Sequence, residues 1–510
     1  MADLPPDPLA AYAAAVPDRP AVVDDDGRVA TYADLNAEVN RLVGGLAALG
    51  FGGGERAVWC APNSRQVLAF MHACRKLGLV AVPLSYRFTA EEMHHVLSDS
   101  GAVLVVVDAA QAPLVAPIVA GLPHVRETVV FRGGHEGLRR WDDVLAMGSP
   151  AEPPPPADYG AAMMYTSGTT GRPKGAIRTR SDRALLGSML AQLRFGAGEV
   201  HITTGPLYHA GPNAFALLTH ITGGTIVVQR AFDPAAWLRL VAEHRVTSTF
   251  AAPTHLKRIV SLPDEVLADA DMSSMRTLIA NAAPVPYALK QEVVAKLGDG
   301  FLFEVYGSTE LGIVTVLVPE DQLRKPGSCG RPYGGIELKA VDDDGADLPA
   351  GEAGELFIRT ALAIDRYHGA GEQMAELPGE WKSVGDIGWV DDEGYVHVCD
   401  RKGDLIITGG MNVYPAEVEA VLHGCPGVMD AAVFGVPDDD WGERVHAVVQ
   451  PRPGQSLDVD TLEAAAATSL AGFKRPRSWE IRDSLPRTDS GKLLKRLLRD
   501  EHWAERGARI

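Results

Sequence analysis

Strand-length apolar runs alternate with helical patterns twice along this chain, and that alternation confines it to an α/β fold with parallel sheets. In the first block Thr31 can cap a helix whose apolar face carries Leu35, Val39, Leu42 and Leu46. Residues 56–60 read as a strand, 66–77 as a helix, 79–82 as a strand, and 103–107 as an apolar strand of the buried, parallel type. The prolines at 153–156 make a stiff, extended connector. The pattern then repeats: Ser181 caps a helix with Leu185, Leu186, Met189, Leu190 and Leu193 on one face, and 225–228 is a strand. Asp233 followed by Pro234 starts a helix that runs to about His244, and 247–251 is the next strand. Two such blocks in series imply two stacked α/β lobes. After residue 400 the character changes to a compact α+β unit: helix 415–422, strands 431–436 and 445–449, a helix near 462–470 and a basic tail. The expected domains are therefore 1–400 and 401–510.

Bulk properties narrow the partners. The length, 510 residues, suits two or three domains, and 46% hydrophobic with 22% charged residues is ordinary for a globular protein. A formal net charge of −18 argues against nucleic acid and against an anionic membrane surface. The five cysteines are odd in number, widely spaced and free of CxxC pairs, so neither a disulfide framework nor a zinc site is suggested. The N-terminus does not read as a signal peptide, and the apolar stretch 101–123 is interrupted by Asp108 and Gln111, so no membrane span is expected. A cytoplasmic location fits best.

The chemistry centres on 165–175, Tyr-Thr-Ser-Gly-Thr-Thr-Gly-Arg-Pro-Lys-Gly, which follows the short apolar run 161–165. Glycine lets backbone N–H groups approach an anion closely, the hydroxyls add donors, and Arg172 and Lys174 add positive charge. A polar surface turn has the same composition, but the density and order of these residue types favour a phosphate cradle. It is not a Walker loop: five residues after Gly168 stands Pro173, and Gly175 rather than Ser or Thr follows Lys174.

The order Thr-Ser-Gly-Thr-Thr-Gly-x-Pro-Lys-Gly resembles the signature loop of the adenylate-forming enzymes, which include acyl-CoA synthetases, luciferases and peptide adenylation domains. Three further motifs occur in that family's order. In 304–310, Glu-Val-Tyr-Gly-Ser-Thr-Glu, the resemblance implies that Tyr306 stacks on adenine, Thr309 reaches the α-phosphate and Glu310 binds Mg²⁺ together with Thr166; Glu304, Val305 and Gly307 belong to the same nucleotide segment. Asp386, in Gly-Asp-Ile-Gly, is implied to hold the ribose hydroxyls, with Arg401 beside it. Lys492, in Pro-Arg-Thr-Asp-Ser-Gly-Lys, matches the family's lysine of the adenylation step. Its ammonium would offset charge as a carboxylate attacks the α-phosphate. By the same resemblance Thr166, Ser167, Gly168, Thr169, Thr170 and Lys174 hold the outer phosphates of ATP. His209 lies near the substrate carboxylate, although a lone histidine is more often structural. The resemblance also implies a mobile small domain that turns about Gly403, where the family usually has Asp or Lys, to present Gly409 and Gly410 to coenzyme A. Asn281-Ala282-Ala283-Pro284 stands where the family usually has Gly-Gly-Ala-Pro; Ala282 and Ala283 would keep a backbone contact to adenine.

Residues 203–217 contain no Asp, Arg or Lys, which disfavours an amino acid or a dicarboxylate as substrate. Gly307 leaves open a position that acetate-type members fill with Trp, and Gly211, Ala214, Ala282, Ala283 and Gly312 add small lining. The expectation is an ATP-dependent acid–CoA ligase for a hydrophobic acid, a fatty acid first and an aryl or steroid side-chain acid second. A carrier-protein thiol as acceptor, and a catalytically dead nucleotide-binding regulator, are the alternatives. Oligomeric state stays open between monomer and homodimer.

Overall fold

The computed structural model describes residues 5–167, 173–178, 182–369, 374–488 and 491–503. Helix Tyr32–Ala48 starts as the local chemistry dictates: the Thr31 hydroxyl accepts from the Asp34 amide, and the Asp34 carboxylate accepts from the Thr31 amide. Leu35, Val39, Leu42 and Leu46 are fully buried, each such side chain contributing about 1.5–3 kcal/mol. This helix and Arg65–Leu77 lie between two sheets, in a core shared by Ala57 and Trp59 of one sheet and Val22 and Ile226 of the other.

The first sheet has eight strands, in the spatial order Arg366–Tyr367, Pro173–Arg178, Ala162–Ser167, Val80–Leu84, Arg56–Cys60, Leu104–Asp108, Glu127–Phe131 and Arg139–Arg140. From Ala162–Ser167 onward its pairs are parallel. The second has nine strands, of which six run parallel: Leu302–Ser308, Thr277–Ala280, Ser248–Ala251, Val200–Ile202, Thr225–Val227 and Pro20–Val23. Pro20–Val23 comes from the start of the chain, so the lobes interlock rather than follow one another.

The glycine-rich segment is flanked by a strand pair: Ala162–Ser167 and Pro173–Arg178 are antiparallel, with Tyr165 opposite Gly175 and Thr166 opposite Lys174. One local expectation changes. The helix that follows is capped by Asp182, whose side chain accepts from the Leu185 amide, while Ser181 lies outside the described residues. A third sheet, not expected from the apolar pattern, is built antiparallel from Glu337–Val341, Gly354–Arg359, Ala375–Leu377, Trp381–Ser383, Asp386–Val390 and Val396–Arg401. Its strands are short and mostly half-buried, so their apolar periodicity is weak.

The small C-terminal domain carries its own sheet, from Ile406–Thr408, Met411–Val413, Val428–Asp438, Gly442–Pro451 and Ser478–Ile481. Helices Pro415–His423 and Val459–Ser469 cover one face and Lys495–Trp503 the other. All five cysteines carry free thiols. Among the described residues no helix is long and apolar enough to cross a membrane.

Candidate active site

Parallel strands leave their ligand crevice at the carboxyl ends, and the nine-stranded sheet places several of the sequence motifs there. Strand Leu302–Ser308 ends in the turn that carries Thr309 and Glu310. Thr277–Ala280 ends at Asn281, whose side chain donates to the Val305 carbonyl at 2.5 Å and ties the 281–284 turn to the neighbouring strand. Val200–Ile202 leads to the segment that ends at His209, the N-cap of helix Ala210–Ile221.

Asp386 is the hub. It is buried and stands opposite Arg401 in the third sheet. Its Oδ2 accepts from the Tyr306 hydroxyl at 2.7 Å, and its Oδ1 is 3.3 Å from Arg401 Nε. Burial and the Asp386 charge hold the Tyr306 phenol well above its ordinary pKa, so it stays a donor. The Glu310 carboxylate accepts from the Tyr367 hydroxyl at 3.0 Å, and Arg178 Nη2 donates to the Thr309 carbonyl at 2.9 Å. Strand pairing of Tyr367 with Ala176 lashes the glycine-rich hairpin to this turn. Sequence reasoning misses Tyr367 and Arg178, since neither stands in a recognisable motif. Glu310 offers hard carboxylate oxygens suited to Mg²⁺. The side chains of Thr166 and Ser167, and all of Gly168, Thr169 and Thr170, lie outside the described residues. Lys174 is described and half-buried on its strand.

Lys492 reaches this cluster from the small domain. Burial first, and the Arg401 guanidinium second, push its ammonium down to about 8, against the opposing pull of Asp404, Asp386 and Glu310. The Lys492 amide donates to Thr488 Oγ1 at 3.0 Å, and the neighbouring Arg487 is held on Asp430 at 2.7 Å. Gly491 has φ +82°, and a Cβ there would overlap the Thr254 hydroxyl on helix Pro253–Val260 of the large domain. Glycine is what lets the lysine loop seat so close.

Other expected residues sit differently. Glu304 turns its carboxylate into a buried ion pair with Lys290 and towards the Val285 amide, which ties it to the 281–286 segment. Gly409 and Gly410 stand exposed, Gly409 beneath the Trp441 ring. The His209 ring lies 4.7 Å from that of Tyr208, and burial pushes the nearby His255 down to about 4.

The acyl-pocket expectation needs correcting. The space at Gly211 is not open: a Cβ there would overlap the ring of Phe250, which stacks on Phe215 at 5.5 Å between centroids. Ala214 is exposed. Gly307 meets the backbone of Gly312 and Ile313 on the adjacent strand, so the absence of a side chain there serves strand packing. Phe250 escapes sequence reasoning because it reads as an ordinary apolar strand residue.

Ala282 has φ +78°, in the left-handed region, which costs an alanine roughly 1–2 kcal/mol. Ala282→Gly should therefore raise stability by about 0.5–1 kcal/mol, after the glycine's extra unfolded-state entropy. A urea-denaturation midpoint at or below that of the parent chain would contradict this.

An α/β enzyme that completes its site by docking a small domain onto a large one is what this architecture defines. Residues 9–368 match the model of the AMP-binding enzyme family and 417–492 that of the AMP-binding enzyme C-terminal domain, and the chain belongs to this adenylate-forming family. It is 39% identical over 92% of its length to a feruloyl-CoA synthase of an Amycolatopsis species, covering 93% of that protein. It is 34% identical to a long-chain-fatty-acid–CoA ligase of Mycobacterium tuberculosis, over 93% of each chain. The crystal structure of an anthranilate CoA ligase in complex with anthranoyl-AMP superposes with a TM-score of 0.89 at 26% identity, covering 98% of this chain and 96% of that one.

Proposed function

We propose that this protein is an ATP-dependent acid–CoA ligase that activates a hydrophobic aryl carboxylic acid through an acyl-AMP intermediate. The observation that carries the chemistry is Lys492, seated by the small domain beside Asp386, Arg401 and Glu310. Asp386, oriented by Tyr306 and Arg401, accepts the ribose hydroxyls. The glycine-rich hairpin takes the outer phosphates, and Lys492 offsets the charge that develops as the acid's carboxylate attacks the α-phosphate. Mg²⁺, held by Glu310 and Thr166, would supply further neutralisation of phosphate charge. Pyrophosphate leaves. The small domain, 401–510, then turns about Gly403, withdraws Lys492 and brings Gly409 and Gly410 round. The CoA thiol attacks the acyl carbonyl and releases AMP.

Phe250 sets the choice of acid. Its ring fills the space at Gly211, two residues beyond His209, and stacks on Phe215, which supports a flat acid over a long chain. The second reading, a fatty acid, is favoured by the small Ala282 and Ala283 at the other wall. Pyrophosphate release should be measured across benzoate-, cinnamate- and fatty-type acids, with and without CoA. The aryl reading expects the cinnamate- or benzoate-type acids to lead, full turnover only with CoA, and Phe250→Ala to shift kcat/KM towards longer acids by roughly tenfold or more. A parent enzyme that prefers long-chain acids overturns the aryl assignment, and turnover indifferent to CoA overturns the ligase.

A further inference from the structure

The small domain holds a second cluster of donor groups, far along the sequence from the nucleotide motifs. His446 on strand Gly442–Pro451, Glu480 on strand Ser478–Ile481 and His502 in the last turn of helix Lys495–Trp503 offer ligand atoms that all lie within 4.8 Å of one another. The parallel pairing sets His446 beside Ser478 and Val448 beside Glu480, so His446 and Glu480 share one face of the sheet. Leu498 packs on that face with Phe434, Val436 and Val448, and His502, one turn further along, is delivered to the same spot.

The donor chemistry is that of a metal site. His446 is only 4% exposed. Its Nδ1 is 2.7 Å from Ser478 Oγ, an arrangement that fixes the tautomer when Nδ1–H donates, and its buried Nε2 has no hydrogen-bond partner. The Nε2 of His502 is likewise buried without a partner. Two inward-facing imidazole nitrogens, one held from behind by a hydroxyl, is how ligating histidines are oriented. Phe434 walls one side, its ring centroid 5.2 Å from His446 and 5.8 Å from His502. Glu480 is gripped by Arg482, whose Nε lies 2.5 Å from Oε1 and whose Nη2 lies 3.1 Å from Oε2; Arg482 also bonds Glu501 at 2.6 Å. A carboxylate has about four acceptor sites, so this grip leaves lone pairs for a cation.

We infer that His446, Glu480 and His502 form a binding site for a divalent transition-metal cation of the Zn²⁺ class, which fastens the C-terminal helix to the sheet of the small domain. Two nitrogens and one carboxylate suit zinc, with a water completing the tetrahedron. Drawing the ligands to the roughly 3.3 Å edge of such a site asks at most about 1.5 Å of adjustment, within reach of side-chain rotation and a helix's last turn.

The test is a titration of the full-length chain with Co²⁺ as the zinc probe, without nucleotide or Mg²⁺, followed by visible absorption and then by competition with Zn²⁺. One saturable equivalent with the strong absorption of a tetrahedral, nitrogen-ligated ion is expected, together with a thermal midpoint that rises with Zn²⁺ and falls back with a chelator. His502→Ala and Glu480→Gln, both at half-exposed positions, should each weaken binding roughly tenfold or more. Thermal unfolding of each variant in chelator shows that it is folded. Absence of saturable binding, or parental affinity in either variant, overturns the site.

Discussion

Lys492→Ala should lower acyl-adenylate formation by roughly 10²–10³-fold, the scale of losing one positioned charge from a site that stabilises developing anion. The substituted chain should still convert supplied acyl-AMP to thioester at close to the parental rate, because that step needs the lysine withdrawn. The two half-reactions are separable by pyrophosphate release and by thioester formation from synthetic adenylate; equal loss in both would remove Lys492 from the first step. A pH profile adds a second handle. The lysine acts as an ammonium, and burial with Arg401 brings its pKa to about 8 before ATP binds. Below pH 8 the group is charged, so kcat/KM for adenylation should be level there and fall as pH rises through about 8. Bound phosphates would favour the ammonium, so the fall in kcat should come at higher pH. A kcat/KM profile flat to pH 9.5, about one and a half pH steps beyond that value, would contradict a catalytic ammonium here.

Lys290→Met should cost about 3–5 kcal/mol of stability, because it strands the Glu304 carboxylate inside the large domain. Lys290 and Glu304 are both buried, and Lys290 also donates to the Ser328 carbonyl at 3.2 Å. Burial already pushes the Glu304 carboxyl up despite Lys290. Without the lysine it would rise further. A carboxyl whose folded pKa lies above its unfolded value costs stability at pH above the unfolded value, and that cost shrinks as pH falls and the group protonates. The urea midpoint of Lys290→Met should therefore recover towards the parental value in mildly acidic buffer. The double variant with Glu304→Gln should regain much of the loss at pH 7. Glu304 also faces the Val285 amide, so Lys290→Met should raise the KM for ATP by loosening the 281–286 segment. A single variant as stable as the parent at pH 7 would show that the pair does not hold this region.

Features that depend on neighbours along the chain are legible in the sequence directly. The Thr31–Asp34 and Asp233–Pro234 helix starts are set within four residues. Strand 56–60 and the helix faces follow from apolar period alone, and the glycine-rich segment is legible from residue types that suit an anion. The antiparallel sheet of 337–401 is not legible, because short half-buried strands lack a period to read. Nor are Tyr367 and Arg178, whose value comes from strand pairings with distant segments.

The sequence by itself determined the α/β class, the glycine-rich segment and the separate motifs, since caps, periodicity and residue chemistry act over a few positions. Only the tertiary structure decided how the motifs meet. The Tyr306–Asp386 bond spans 80 residues, and Lys492 joins it from another domain because Gly491 can press against Thr254. Packing likewise put the Phe250 ring against Gly211, filling space that small residues alone had made look open. It also gathered His446, Glu480 and His502 onto one face of the small sheet. Such contacts depend on register and on the volume of side chains far apart in the chain, quantities that no local run of residues carries.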